Sequence, residues 1–210
     1  MRIVCISDTH GDHSKLKLPE GDVLIHAGDF TNRGEYHDVA SFANWLDCLD
    51  FKHKLVVPGN HDISFEKDLD TVAEVVKYSC TLLIDQVVVI DGLRFYGTPW
   101  TPNFYPEHWA FNHASPGLHC SKIYKQMVAA NPDVVISHGP PYGYCDRVLR
   151  GNVGCKELLK TLKVIDPTLT VCGHIHEGYG LLETHFGPVA NAAIMDGNYR
   201  FINKPIVIDL

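Results

Sequence analysis

The sequence lacks a long hydrophobic run, since none of its apolar stretches approaches the ~18 residues that a membrane-spanning helix needs. Met1 leads directly into the short apolar stretch 3–6, without the apolar core of a signal peptide. An excess of basic residues is also missing, because 18 Lys and Arg against 25 Asp and Glu give a formal net charge of −7. We therefore expect no membrane partner and no long nucleic acid, which both favour basic surfaces.

The cysteines lack any pairing pattern. Their number is odd, they are scattered along the chain, and no C-x-x-C pair occurs, so neither a disulfide framework nor a thiolate zinc site is indicated. We interpret them as thiols of a reducing compartment and expect a cytoplasmic protein. They are Cys5, Cys48, Cys80, Cys120, Cys145, Cys155 and Cys172.

Composition and patterning predict one α/β domain over residues 1–210. The 45% hydrophobic and 20% charged fractions are typical of a globular protein. The sequence leaves the oligomeric state open. Short β-branched runs alternate with helical patterns, which favours parallel strands. Two stretches look antiparallel instead, namely the one with a hairpin turn at Asp91 and Gly92 and the tail 178–210, where Gly and Pro interrupt short strands. We expect two mixed sheets flanked by helices, in four layers. The main strands are predicted at 2–7, 22–27, 53–58, 133–137 and 168–173, and helices near 35–49, 69–77, 120–130 and 156–162.

The segment 98–117 has four prolines and five aromatic residues but no periodicity. We interpret it as an ordered loop that forms a wall of a substrate pocket; the alternative is a loop held only by aromatic packing. Its aromatic residues are Trp100, Phe104, Tyr105, Trp109 and Phe111.

Each of the five predicted main strands ends at candidate metal ligands. The carboxyl ends of strands in α/β sheets meet at one edge, so five loops can share one site. Carboxylate, imidazole and amide donors suit Mn, Fe, Zn, Ni or Mg. Taken alone, each motif also fits a helix cap or a turn. The motifs are Asp8-Thr9-His10, Gly28-Asp29, Gly59-Asn60-His61-Asp62, His138-Gly139 and Gly173-His174-Ile175-His176.

In this order the motifs resemble those of the calcineurin-like metallophosphoesterase superfamily, from residue 2 to about residue 178. The segments GTPW (97–100), WAFN (109–112), SHGPPYGYCD (137–146), GCKELL (154–159) and GHIHEGYG (173–180) are similar to the brain-expressed metallophosphoesterase-domain family of animals. Some members of that family have lost the first histidine of the last motif, which this chain keeps as His174. The resemblance implies the metallophosphatase fold, a four-layer α/β/β/α sandwich, with two intact metal positions.

The resemblance also implies ligand roles for two divalent cations, with Mn²⁺ as the leading candidate. Asp29 bridges the two metals, and His61 lies near the substrate phosphoryl group as a general acid. Asp62 supports the His61 ring, caps the following helix, or does both. The first metal is assigned to Asp8, His10, Asp29 and His176, and the second to Asp29, Asn60, His138 and His174.

The implied reaction is hydrolysis of small phosphodiesters, including 2′,3′-cyclic nucleotides, by a metal-bound hydroxide. A phosphomonoesterase or nuclease is the enzymatic alternative, and a non-catalytic scaffold with this fold is the other. Arg33 resembles a phosphate-contacting arginine of related phosphatases, or else it is a solvated surface residue; Trp100, Trp109 and Phe111 offer a surface on which a nucleobase can stack. The substrate-binding candidates are Arg33, Trp100, Phe111, Asn112 and His113.

Overall fold

Two β-sheets packed face to face form the centre of the molecule in a computed structural model that describes residues 1–104, 108–114 and 117–210. The strands are β1 (Arg2–Ile6), β2 (Val23–His26), β3 (His53–Val56), β4 (Thr81–Leu82), β5 (Gln86–Ile90), β6 (Leu93–Thr98), β7 (Thr101–Pro102), β8 (Asn112–His113), β9 (Val134–Ser137), β10 (Arg147–Val148), β11 (Gly151–Asn152), β12 (Leu169–Cys172), β13 (Gly180–Leu182), β14 (Val189–Asn191) and β15 (Ile206–Asp209). The helices are α1 (Tyr36–Asp47), α2 (Ser64–Lys67), α3 (Leu69–Val76), α4 (Leu118–Ala130) and α5 (Lys156–Ile165).

Both large sheets are mixed. The first has the strand order β15-β1-β2-β3-β4, in which only β15 is antiparallel to its neighbour. The second has the order β13-β14-β12-β9-β6-β5, with a parallel centre and antiparallel edge strands. The central strands of each sheet therefore point their carboxyl ends towards one edge, where a bridge between Ser7 and Ala193 joins the two sheets.

Three apolar layers hold the four structural layers together. Alternate side chains of β1 show the division: Ile3 and Cys5 face the layer between the sheets, whereas Val4 and Ile6 face α1 and α3. A third layer lies between the second sheet and helices α4 and α5. The predicted α/β/β/α sandwich is confirmed.

The helices cover the outer faces of the sheets. Helix α1 buries Val39, Phe42, Ala43 and Leu46, which recur at helical spacing, so it packs one stripe on the first sheet. The longest helix, α4, has 13 residues. Across the described ranges, none of the helices has the length and apolar character needed to cross a bilayer.

Two parts of the fold differ from the prediction. The segment 98–117 contains a short parallel pair, β7 with β8, where only a loop was expected; Tyr105 of the predicted aromatic wall lies outside the described residues. In the tail, β14 pairs antiparallel with β13 but parallel with β12. Asp91 and Gly92 do form the expected turn between β5 and β6, and both have positive φ, 48° and 88°.

We expect Phe42→Ala to lower the free energy of unfolding by about 3–5 kcal/mol, because it removes a fully buried ring and leaves a cavity. The Phe42 ring stacks on the ring of Phe30, with 4.2 Å between centroids, and Phe30 is the residue that follows Asp29. Urea unfolding followed by circular dichroism measures the change. Val164→Ala is the control, since Val164 is 70% exposed and its loss should change stability by no more than about 0.5 kcal/mol; equal effects of the two substitutions would contradict the assigned core.

Candidate metal centre

Sharp backbone turns bring the predicted ligands into one cleft. Asp8, His10, Asp29 and His174 have left-handed φ angles of 56°, 44°, 56° and 65°. Such angles cost of order 1–3 kcal/mol for residues with a side chain, and they persist where surrounding contacts impose them. The Asp8 amide donates to Gly28 O at 2.9 Å and the His10 amide to Asp29 O at 3.0 Å, so the loops after β1 and β2 fix each other.

The structure brings all seven predicted ligands together. Three overlapping groups each place their ligand atoms within 4.8 Å of one another, and Asp29 belongs to two of these groups. Asn60 adjoins them through its Oδ1, 2.9 Å from His138 Nε2. The groups are Asp8, His10 and His176; His10, Asp29 and His61; and Asp29, His138 and His174.

The imidazole of His176 faces a carboxylate and a second imidazole across the cleft. Its Nδ1 donates to the carbonyl of Asp196 at 2.8 Å, so in the neutral ring Nε2 carries no proton. That Nε2 lies 3.4 Å from Asp8 Oδ1 and 3.4 Å from His10 Nε2. A carboxylate and two imidazole nitrogens that face one another can share a cation, and a divalent metal fits this donor set.

His138 repeats the arrangement on the other side of the cleft. Its Nδ1 donates to Ala27 O at 2.9 Å, and its Nε2 faces Asn60 Oδ1 at 2.9 Å and Asp29 Oδ2 at 3.4 Å. The backbone carbonyl fixes the ring tautomer, as is usual for metal-bound histidines. A second cation position, next to the first, therefore fits the residues present.

The charges of the cleft agree with this interpretation. Burial opposes ionisation of Asp8, yet the neighbouring His176 lowers the pKa of its carboxyl to about 2. Burial also opposes protonation of His138 and His176, but Asp29 and Asp8 respectively raise the pKa of each imidazole to about 9. In the metal-free protein a proton therefore takes the place of each cation.

Two other ligand candidates stay neutral. Burial lowers the pKa of His10 to about 4 and that of His174 to about 3. A neutral imidazole offers a lone pair without releasing a proton. These two rings can thus bind a metal directly at neutral pH.

His61 stands at the edge of the cleft. Its Nδ1 donates to Asn32 O at 2.8 Å, so Nε2 is directed inward, 4.0 Å from Asp29 Oδ2. The ring lies against Trp109, 4.0 Å between centroids at 31°, and the guanidinium of Arg33 lies 4.9 Å above the same indole. Arg33, Trp109 and His61 therefore form a stack at the rim.

Asp62 occupies neither of the positions considered from the sequence. Its carboxylate accepts hydrogen bonds from the backbone amides of Asp29 (2.9 Å), Thr31 (2.9 Å) and Gly59 (2.7 Å). The His61 ring is held by Asn32 instead, and α2 has Ile63 as its N-cap without a side-chain hydrogen bond. Burial, followed by repulsion from Asp29, raises the pKa of the Asp62 carboxyl to about 7.

All five substrate-binding candidates lie outside the lining of the central cavity. The Trp100 indole donates to Asp85 Oδ2 at 2.7 Å and packs on Phe111, which is only 2% exposed. The Asn112 amide donates to Ala110 O at 2.8 Å and so holds its own loop. His113 is also buried, and of the five candidates only Arg33 lies at the rim of the cleft.

The cavity itself has a volume of about 300 Å³, with aromatic walls above the metal-binding side chains. Phe104, Trp109 and Tyr199 form these walls. Tyr199 was not predicted from the sequence because it lies in the tail, in a turn with no recognisable motif. Its ring nevertheless contacts His10 and His176, at 4.8 and 5.5 Å between centroids.

Comparison with known proteins agrees with this geometry. The profile of the calcineurin-like phosphoesterase family matches residues 1–178. The chain belongs to that family. The family implies a dinuclear divalent metal site and metal-dependent hydrolysis of phosphate esters, and the donors described above fit such a site.

Relatives match the chain over its whole length. Metallophosphoesterase domain-containing protein 1 from Homo sapiens and the same protein from Mus musculus are each 37% identical over 236 residues, which covers 100% of this chain and 71% of theirs. The protein TT1561 of Thermus thermophilus has a TM-score of 0.67 at 17% identity, covering 90% of this chain and 88% of its own. A further crystal structure has a TM-score of 0.72, also at 17% identity, with 90% and 89% coverage. These structures share the calcineurin-like fold.

We expect Gly173→Ala to disrupt the first metal position, because a Cβ there would collide with Ser7 Oγ and Asp8 Oδ2. Overpacking of this kind costs about 1–3 kcal/mol and would displace the Asp8 carboxylate. Isothermal titration with Mn²⁺ and thermal unfolding measure the two effects. Gly197→Ala is the matched control, since its Cβ would meet Glu177 Oε1 at an ordinary 3.5 Å. Wild-type metal affinity in the Gly173 variant would contradict this packing.

We expect Mn²⁺ affinity to rise as the pH increases from about 6.5 to about 9. Below about pH 9, His138 and His176 hold protons that a metal must displace, since the pKa of each is raised to about 9 in the metal-free protein. Titrations in buffers of different ionisation enthalpy count the protons released. His176→Ala should release fewer protons than the wild type, whereas His37→Ala, on the surface, should release the same number. A pH-independent affinity would count against these two ligands.

Proposed function

We propose that this protein hydrolyses small phosphodiesters, including cyclic nucleotides, with two bound Mn²⁺ ions. The observation that carries the proposal is the pair of imidazole nitrogens, Nε2 of His138 and Nε2 of His176, which face buried carboxylates on the floor of one cleft. The first cation is assigned to Asp8, His10, Asp29 and His176, and the second to Asp29, Asn60, His138 and His174.

Two bound cations would neutralise the negative charge that the chain concentrates in the cleft. Asp8 and Asp29 contribute two negative charges, so two divalent cations leave a local balance of about +2 in a chain of net charge −7. When bound, they supply Lewis acidity that orients phosphoryl oxygens and lowers the pKa of water. The protein thereby attracts a phosphate group locally without presenting a basic surface.

His61 is proposed as the proton donor to the leaving oxygen. The Asn32 carbonyl fixes its Nδ1 as a donor, so only Nε2 can exchange a proton with substrate in the cleft. The Trp109 face restricts rotation of the ring, and the His61 amide also donates to Asp29 Oδ1 at 2.8 Å. Asp62 acts indirectly, since its carboxylate holds the backbone amides of Asp29 and Gly59.

The shape of the cleft favours a diester. A second cavity of about 620 Å³ adjoins the metal centre, with Phe104 and His174 in the walls of both. A phosphodiester carries two organic groups on phosphorus, and the two spaces can take one each. Phe104 and Tyr199 line the central cavity with aromatic surface against which a base can pack, while Arg33, over the Trp109 ring, adds positive charge at the rim.

With Mn²⁺ present, we expect bis-nitrophenyl phosphate and 2′,3′-cyclic nucleotides to be hydrolysed faster than nitrophenyl phosphate. Asp29→Ala should abolish activity because it removes the carboxylate shared between the metals. His61→Ala should lower kcat by about 10²–10⁴-fold through loss of the general acid while Mn²⁺ stoichiometry stays the same. Steady-state kinetics and metal analysis measure both effects.

Asp70→Ala and His37→Ala are the controls for charge and imidazole loss, since both residues are exposed. Full activity in Asp29→Ala would exclude the proposed centre. Faster turnover of the monoester would instead identify a phosphomonoesterase, and a metal-loaded protein inactive on every ester would support the scaffold alternative.

A further inference from the structure

A second group of metal-binding side chains lies outside the catalytic cleft. It comprises His113 of β8, Cys120 in the first turn of α4, and Cys155 at the N-cap of α5, whose ligand atoms lie within 4.8 Å of one another. None of the three belongs to the groups in the cleft. Their exposed fractions are 2%, 0% and 0%, so the group is buried in the protein.

His113 has an unused ligand atom. Its Nδ1 approaches Ala114 O at 3.4 Å, while Nε2 is buried and has no hydrogen-bond partner within the described ranges. An unsatisfied buried polar atom costs about 1–3 kcal/mol, so it calls for a physical explanation. Burial lowers the pKa of the imidazole, which leaves the ring neutral and its lone pair available.

The Cys155 sulfur is already surrounded by donors. The Leu158 amide donates to it at 3.4 Å from the first turn of α5, and the Tyr124 hydroxyl lies 3.1 Å away. Burial raises the pKa of this thiol, so it is neutral without a cation. The helix N-terminus and the hydroxyl would stabilise the thiolate once a cation is bound.

We propose that His113, Cys120 and Cys155 bind one Zn²⁺ ion. Each thiol releases one proton, so two thiolates and the cation form a complex of zero net charge, which can be buried without the cost of an isolated ion. Ligand atoms on tetrahedral zinc, with bonds of about 2.0–2.3 Å, lie about 3.5–3.8 Å apart, so the side chains need to close by about 1 Å.

The chemistry of this group differs from that of the catalytic cleft. Two thiolates favour a soft cation such as Zn²⁺ over Mn²⁺ or Mg²⁺, whereas the donors of the cleft include no sulfur. Buried, closed sites of this kind are structural. The ion would tie β8 and α4 to the start of α5, where the Cys155 amide donates to Pro140 O at 2.9 Å, two residues beyond His138.

Cobalt substitution tests the proposal independently of phosphoesterase activity. Co²⁺ bound to thiolate gives a near-ultraviolet charge-transfer absorption band, and cobalt bound by the cleft residues gives none because they lack sulfur. We expect metal-free wild-type protein to develop this band, saturating at one thiolate-bound cobalt per chain. Cys120→Ser and Cys155→Ser should each lose most of it, while Cys80→Ser, which removes a half-buried thiol elsewhere, should keep it.

Two further measurements keep the test decisive. Circular dichroism shows whether each variant is folded, and native mass spectrometry after zinc loading should show one zinc fewer in Cys155→Ser than in Cys80→Ser. Absence of the band in folded wild-type protein would overturn the zinc site, as would a Cys120–Cys155 disulfide in protein purified under reducing conditions. An inactive protein that shows the band would leave this inference standing and reject only the proposed activity.

Discussion

The architecture of the cleft depends on two buried carboxylates, those of Asp8 and Asp29. These residues follow the neighbouring parallel strands β1 and β2, and their carboxylates face imidazole nitrogens. Each carboxylate is kept ionised in a buried environment, where an uncompensated charge is costly. Protons on His138 and His176 balance that charge in the metal-free protein, and divalent cations balance it in the loaded one. Metal binding therefore neutralises the buried carboxylates of the cleft without protons on these two histidines.

This arrangement of ligands requires strained backbone conformations. Four ligands have left-handed φ angles, and Gly173 lies so close to Ser7 and Asp8 that no side chain fits there. Asp62 offsets part of this strain, because one buried carboxylate binds the backbone amides of Asp29, Thr31 and Gly59. The rigid sheets thus position the ligands, and the strain is confined to the few residues where the loops leave the strands.

The sequence predicted the layered fold and the polar motifs at the strand ends because both depend on local patterns. β-branched runs define the strands, and a ligand immediately after a parallel strand has to lie at the sheet edge. The aromatic side chains around the ligands were harder to predict. Trp100 and Trp109 look equivalent along the chain, yet Trp100 packs inward onto Phe111 while Trp109 covers His61. Tyr199 reaches the same cavity from a tail that carries no motif.

By itself, the sequence determined which residues follow each strand, and hence the chemistry of the candidate metal ligands. Only the tertiary structure decided what Asp62 holds, which aromatic rings form the wall, and that His113 and Cys120 meet Cys155, which lies 35 positions after Cys120 in the chain. The physical reason is the range of the interactions. Strand patterns and turn residues act between neighbours in sequence, whereas the packing of loops against helices depends on contacts between distant segments that no local pattern records.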